Sequence, residues 1–266
     1  MQSNRLSMVP ASLVLATGLM LAGCSNTPKD VTVGWSPEKI YSQAKEEADN
    51  GAWDKAIGMF EKLEGRAAGT PLAQQAQLEK AYSHYRNGEQ PQAVATLDRF
   101  MKLHPASPAL DYALYLKGIV NFNDNLGLFS SLSDQNLSER DQKSAKVSFE
   151  SFRELVQRFP DSKYAPDSRL RMTYVINSLA ESEVNVARYY YQRGAYVAAV
   201  NRAQLALTEY QGVPAAKEAL VLLVKSYQAM GMQDLAQDAS RVLEKNYPAN
   251  APQADQPKRS AWWKLF

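Results

Sequence analysis

The 266-residue sequence has one cysteine, Cys24, and two histidines, His84 and His104. Neither histidine stands near a second ligand-type cluster at metal spacing, and no free thiol is left to help, so the sequence supports no metal site. A basic excess is missing as well. Of the formal net charge of +2, Arg5 belongs to the N-terminal segment discussed next, and the tail from Ala251 carries Lys258, Arg259 and Lys264 against Asp255, which leaves the body near −1. A nucleic-acid surface would need a clustered basic stripe. No stretch sustains the two-residue alternation of a strand, and no Gly-x-Ser-x-Gly or phosphate-cradling glycine loop occurs. Ser42-Gln43-Ala44-Lys45 matches the Ser-x-x-Lys pattern of penicillin-interacting enzymes, but it falls mid-helix without companion motifs and reads as chance. These absences describe a binder, with no cofactor, rather than a catalyst.

What is present begins at the N-terminus. Arg5 precedes an apolar run from about Val9 to Leu21, too short to span a bilayer comfortably, and Leu21-Ala22-Gly23-Cys24 follows. The four residues resemble the lipobox of bacterial lipoproteins. The resemblance implies cleavage before Cys24, with a diacylglycerol on its sulfur and an acyl chain on its new amine. An unpartnered thiol is awkward in an oxidising compartment, whereas a thioether is quiet. Membership of the membrane is then through lipid alone, and Ser25 in place of Asp after the cysteine implies the outer membrane. We read residues 1–23 as signal peptide and 24–35, with Pro28 and several polar residues, as a lipidated linker.

Four glycines, Gly51, Gly88, Gly194 and Gly231, set a repeat. Each is followed five residues on by Ala56, Ala93, Ala199 and Ala236, then by Phe60, Leu97, Ala203 and Ser240, and by Leu63, Phe100, Ala206 and Leu243. Ala44, Ala81, Ala187 and Val224 precede them in one phase. Pro105 and Pro248 close two of the units. A helix, a left-handed glycine turn, a second helix and a terminal proline, with alanine where helices nearly touch, resemble the tetratricopeptide repeat. A less regular unit fits between, with helices expected over 111–125 and 139–160, a capping signature at Ser138 and Asp141, and an insertion over Leu126 to Ser138. One long helix is expected from Asp167 to Arg193. Ser36-Pro37-Glu38 supplies a helix start. The expected fold is an all-α, right-handed superhelical solenoid of five helix pairs over 36–250, followed by a Pro, basic and aromatic tail, 251–266.

Repeat phase also nominates a groove. In the first unit the groove positions are Tyr41, Lys45, Ala48 and Asp49, and in the second Leu78, Tyr82, Tyr85 and Arg86. Tyrosines and cations three and four apart share a helix face and suit an aromatic-rich peptide with a carboxylate. The same rings could instead pack between repeats.

"SERDQKSAKVSFESFRELVQRFPDSKYAPDS" and "NVARYYYQRGAYVAAVNR" resemble the BamD (ComL/YfiO) family of outer-membrane assembly lipoproteins, from the lipobox to about Asn250. The resemblance implies a scaffold that faces the periplasm, binds unfolded β-barrel precursors and docks on the periplasmic domain of the barrel subunit BamA, beside other lipoproteins of that machinery. It implies that Arg193 and Arg202 make the BamA contact; the first unit has Asn50 and Met59 there, so neither cation is a demand of the repeat. The other reading of Arg202 is a pair with a neighbouring acid. "YQGVPAAKEAL" at Tyr210 departs from the family's Pro-Asp turn. The tail residues Trp262, Trp263, Leu265 and Phe266 cap the last pair, meet a partner or lie on lipid headgroups. The alternative function is a repeat lipoprotein coordinating cell-wall synthesis or envelope constriction, although no trimerising coiled coil precedes the repeats.

Overall fold

The computed structural model describes residues 30–122 and 135–248. The expected signal peptide, Cys24, most of the expected insertion and the 251–266 tail lie outside these. Among the described residues there are ten helices and no strand: α1 (Pro37–Asp49), α2 (Trp53–Arg66), α3 (Pro71–Arg86), α4 (Gln90–Leu103), α5 (Leu110–Asn121), α6 (Gln135–Arg158), α7 (Ala165–Gln192), α8 (Tyr196–Glu209), α9 (Ala216–Ala229) and α10 (Gln233–Asn246). Each helix packs on the next, α1 also meets α3, α3 meets α5, and α7 meets α9. The result is a tetratricopeptide-like stack of five antiparallel pairs in which the first helices of successive pairs are neighbours. No helix among the described residues is long and apolar enough to cross a membrane.

Local chemistry accounts for the starts and stops. Ser36 Oγ accepts from the Lys39 amide at 3.3 Å, with Pro37 at the first helical position. Thr70 and Pro71 repeat the device at α3, where Thr70 Oγ1 accepts from the Ala73 amide at 3.2 Å. Gly51, Gly88, Gly194 and Gly231 hold φ of 73–78°, the left-handed region that ends each first helix and reverses the chain. Ala44, Ala56, Ala81, Ala93, Ala187 and Ala199 are fully buried, and around them Phe60, Leu63, Leu97 and Phe100 exclude water completely. A larger side chain at the alanine positions would drive the helices of a pair apart.

The third pair solves the same problem with different residues. Ser148 stands to Phe152 and Leu155 as Ala93 stands to Leu97 and Phe100, and it is completely buried. Its hydroxyl donates to the Gly118 carbonyl at 2.9 Å. A β-carbon on Gly118 would lie 2.6 Å and 2.7 Å from Cδ1 and Cζ of Phe152, so only glycine lets that ring seat.

A second polar device joins α2, α3 and α4. Glu64 accepts from Lys80 Nζ at 2.7 Å and from Gln77 Nε2 at 2.9 Å, with Arg99 at 2.9 Å. Burial works to raise the Glu64 pKa, but the hydrogen bonds from Lys80 and Gln77 and the charges of Lys80 and Arg99 outweigh it and hold the carboxyl below its ordinary value. A depressed carboxylate stabilises the fold above its unfolded pKa, and that contribution is lost as pH falls through the folded value.

Three boundaries differ from the sequence reading. Helix α5 ends at Asn121 rather than near 125. Helix α6 begins at Gln135, so Ser138 lies within it and is not its cap; the Ser-x-x-Asp pattern is short, and serine is tolerated inside a helix at modest cost. The expected linker runs to 35, yet its last residues are tied down: Asp30 and Thr32 are held by Lys62 and Arg66 of α2, Thr32 is fully buried and Trp35 borders the first core cluster.

The Gly118 contact is directly testable. Gly118→Ala should lower stability by about 1–3 kcal/mol, the usual range for overpacking a core. Urea unfolding measures it, and an unchanged midpoint would show that Phe152 has room to retreat.

Candidate binding strip and docking residues

The first helices bring aromatic and charged side chains into one strip. At its start, Glu79 of α3 reaches back to α1, accepting from Lys45 Nζ at 3.1 Å and from the Tyr41 hydroxyl at 3.4 Å. Gln75 Nε2 donates to the same Tyr41 oxygen at 2.6 Å. Burial, then the negative Glu79, pushes the Tyr41 phenol up to about 12. Tyr41 and Lys45, nominated separately, are thus bridged by one carboxylate.

One turn along α3, the Trp53 ring meets Tyr82 edge-on with centroids 6.3 Å apart, and Tyr85 lies 6.5 Å from Tyr82. The Arg86 guanidinium sits 4.9 Å above Trp53 and donates to the Tyr82 hydroxyl at 2.8 Å. Arg86 makes no ion pair among the described residues. Its charge is held by π-faces and a phenol, which leaves it able to accept an incoming anion. Lys45, by contrast, is already paired.

The strip continues beyond the residues that repeat phase nominated. Tyr112 of α5 is held well above the ordinary phenol range, by burial first and then by Glu79, Tyr164, Tyr82 and Tyr115. Tyr115 stacks on Tyr164 at 4.6 Å and donates to Asp167 Oδ2 at 2.8 Å. Burial and that carboxylate bring its pKa to about 12. Asp167 also takes Arg171 Nε at 2.6 Å, and the Arg171 guanidinium lies 4.7 Å over Phe122. Rings therefore line the first helices α1, α3 and α5, with Tyr164 at the N-cap of α7, and Glu79 and Asp167 each join two neighbouring first helices. Two nominated positions fail: Ala48 and Leu78 are buried rather than facing the strip. Both are apolar and sit on the edge of the helix that turns into the core.

The two arginines nominated for docking have unlike environments. Arg193 is exposed at the end of α7, its guanidinium 5.0 Å over the Tyr189 ring. Arg202 of α8 instead donates from Nη1 to Glu183 Oε2 of α7 at 3.0 Å. The Glu183 side chain is only 6% exposed against 43% for Arg202. A buried carboxylate thus depends on a cation that is half in water.

A family model for YfiO, described as "Outer membrane lipoprotein", matches residues 35–243. The chain belongs to this YfiO family. Among curated proteins, the outer membrane protein assembly factor BamD of Neisseria meningitidis serogroup A is 41% identical over 261 residues, covering 96% of this chain and 98% of that protein. BamD of Vibrio cholerae is 32% identical over 227 residues, covering 85% and 94%. A solved structure of the RpL4 assembly chaperone Acl4 aligns over 83% of this chain and 78% of its own at a TM-score of 0.35 and 14% identity. Within this YfiO chain, no group of three or more His, Cys, Asp or Glu among the described residues is placed to hold a metal ion.

The arginines separate by substitution. Arg193→Glu should leave stability within about 0.5 kcal/mol, as for an ordinary surface change. Arg202→Glu sets a second negative charge against Glu183 and should cost about 1–3 kcal/mol. Adding Glu183→Gln should restore most of that loss. Thermal melts of the two single variants and the double variant check this, and equal melts for both arginine variants would contradict it.

Proposed function

We propose that this chain is the lipid-anchored scaffold of the machinery that assembles β-barrel proteins into the outer membrane. The observation that carries the reading is similarity to BamD along nearly the whole length of both chains. The chain is an outer-membrane lipoprotein facing the periplasm, and a scaffold rather than an enzyme. Family membership favours this over the coordination of cell-wall synthesis or envelope constriction.

Several finer points belong to the same proposal. Cys24, outside the described residues, carries the S-diacylglycerol and N-acyl chains, with residues 1–23 removed and the residues before Asp30 as tether. Its partners are BamA, other lipoproteins of the machinery and unfolded barrel precursors. Precursors lie along Tyr41, Lys45, Tyr82, Tyr85 and Arg86, where rings offer flat apolar area and Arg86 offers the uncommitted charge for a carboxylate. Arg193 and Arg202 meet the periplasmic domain of BamA. Arg193 supports this by its exposure. Arg202 would have to be shared with Glu183, so a charge-reversed Arg202 tests docking only when Glu183→Gln accompanies it. The 251–266 tail has no assigned role.

Depletion of the protein should lower the amount of folded barrel proteins in the outer membrane, read by heat-modifiable migration of those barrels on gels. Unchanged levels would reject the function. Photo-crosslinkers at Tyr82 and Arg86 should capture precursor peptides ending in an aromatic residue, while one at Val197 on α8, exposed and off the strip, should not. Equal capture at all three would remove the strip from client binding.

A further inference from the structure

The turn that precedes α1 is fastened with more contacts than a tether needs. Asp30 Oδ1 accepts from Lys62 Nζ at 2.6 Å, from Thr32 Oγ1 at 2.7 Å and from the Thr32 amide at 3.0 Å. Asp30 Oδ2 accepts from Arg66 Nη2 at 2.9 Å, and Arg66 Nη1 donates to the Thr32 carbonyl at 2.6 Å. Gly34, at φ of 81°, turns the chain into Trp35 and the Ser36 cap. The segment is therefore locked to the last turns of α2.

Locking the turn sends two side chains outward. Val31 is 64% exposed and Val33 is 72% exposed, on either side of the fully buried Thr32. Beside them the half-buried Trp35 carries Lys39 Nζ 4.5 Å above its ring. Outward valines, an indole edge and a lysine on a short rigid turn match the composition of a headgroup-layer contact, where apolar bodies sink and cations stay with phosphate. Five residues lie between Cys24 and Asp30, and the six steps from one to the other reach about 20 Å when fully extended. With its acyl chains in the bilayer, Cys24 keeps this turn within about 20 Å of the membrane surface.

We propose that the Asp30–Trp35 turn is a bilayer footing: Val31 and Val33 enter the headgroup layer, Lys39 meets lipid phosphate, and the Asp30 fastening transmits that contact to α2. This rests on the lipidation of Cys24. The occupant is an anionic phospholipid surface.

The test uses the full chain, matured and lipidated, in vesicles of phosphatidylethanolamine and phosphatidylglycerol. Cys24 is the only cysteine and its acylated sulfur is unreactive, so Val33→Cys gives a single site for an environment-sensitive dye. Val197→Cys, at a similarly exposed position on α8, is the reference. Nitroxide-bearing lipids should quench the dye at 33 at least about threefold more than at 197. Flotation with the vesicles is scored first: a chain that does not float overturns the lipid anchor and the footing with it. A chain that floats but is quenched equally at both sites overturns the footing alone. Shielding of the dye at 33 only when the remaining subunits of the machinery are added assigns the valines to a protein partner and likewise overturns it.

Discussion

Close approach of paired helices is the constraint on which the rest of this molecule depends. Every pair crosses where one or both helices carry alanine, serine or glycine, and that closeness lets Phe60, Leu97, Phe100 and Phe152 pack in with no exposure to water. Because first helices then lie beside first helices, side chains a helical turn apart on one element meet partners on the next. The strip of rings is a by-product of that spacing: Tyr41 and Glu79, or Tyr115 and Asp167, are far apart in sequence and touch only because the crossings are tight.

Carboxylates do different work in different places. Glu79 and Asp167 join rings and cations of neighbouring units while staying partly in water, where ion pairs contribute little stability but do fix side-chain orientation. Glu64 and Glu183 are buried deeper, and each depends on cations for its charge to be tolerated. Mutating an arginine to probe a partner is therefore a different experiment at Arg193 and at Arg202.

The helix pairs were legible in the sequence because their cause is local and steric. A left-handed turn selects glycine, and a crossing selects a small side chain, whatever lies further along the chain. The third pair was only half legible, since Ser148 and Gly118 meet the same steric demand without the alanine and glycine spacing. Tyr41 and Lys45 followed from the register of α1, and Tyr82, Tyr85 and Arg86 from that of α3. Glu79, Tyr112, Tyr115, Asp167 and Arg171 did not, because their place in the strip is set by partners on the next helix. Glu183 was hidden for a related reason: two acids, Glu181 and Glu183, lie close together on α7, and only the packing shows which one faces α8. The Asp30 turn is not distinguishable from tether in the sequence, because it continues the Pro28-containing polar stretch without a helical pattern of its own and its partners Lys62 and Arg66 come from a helix more than thirty residues away.

The fastening of Asp30 also decides how the molecule bears a load. A pull arriving from the N-terminal side meets ion pairs to Lys62 and Arg66 before it reaches the first turn of α1, so tension passes into the last turns of α2. Because Tyr41 and Lys45 on α1 share Glu79 with α3, any displacement of the first pair against the second would be felt at once at the start of the ring-lined strip.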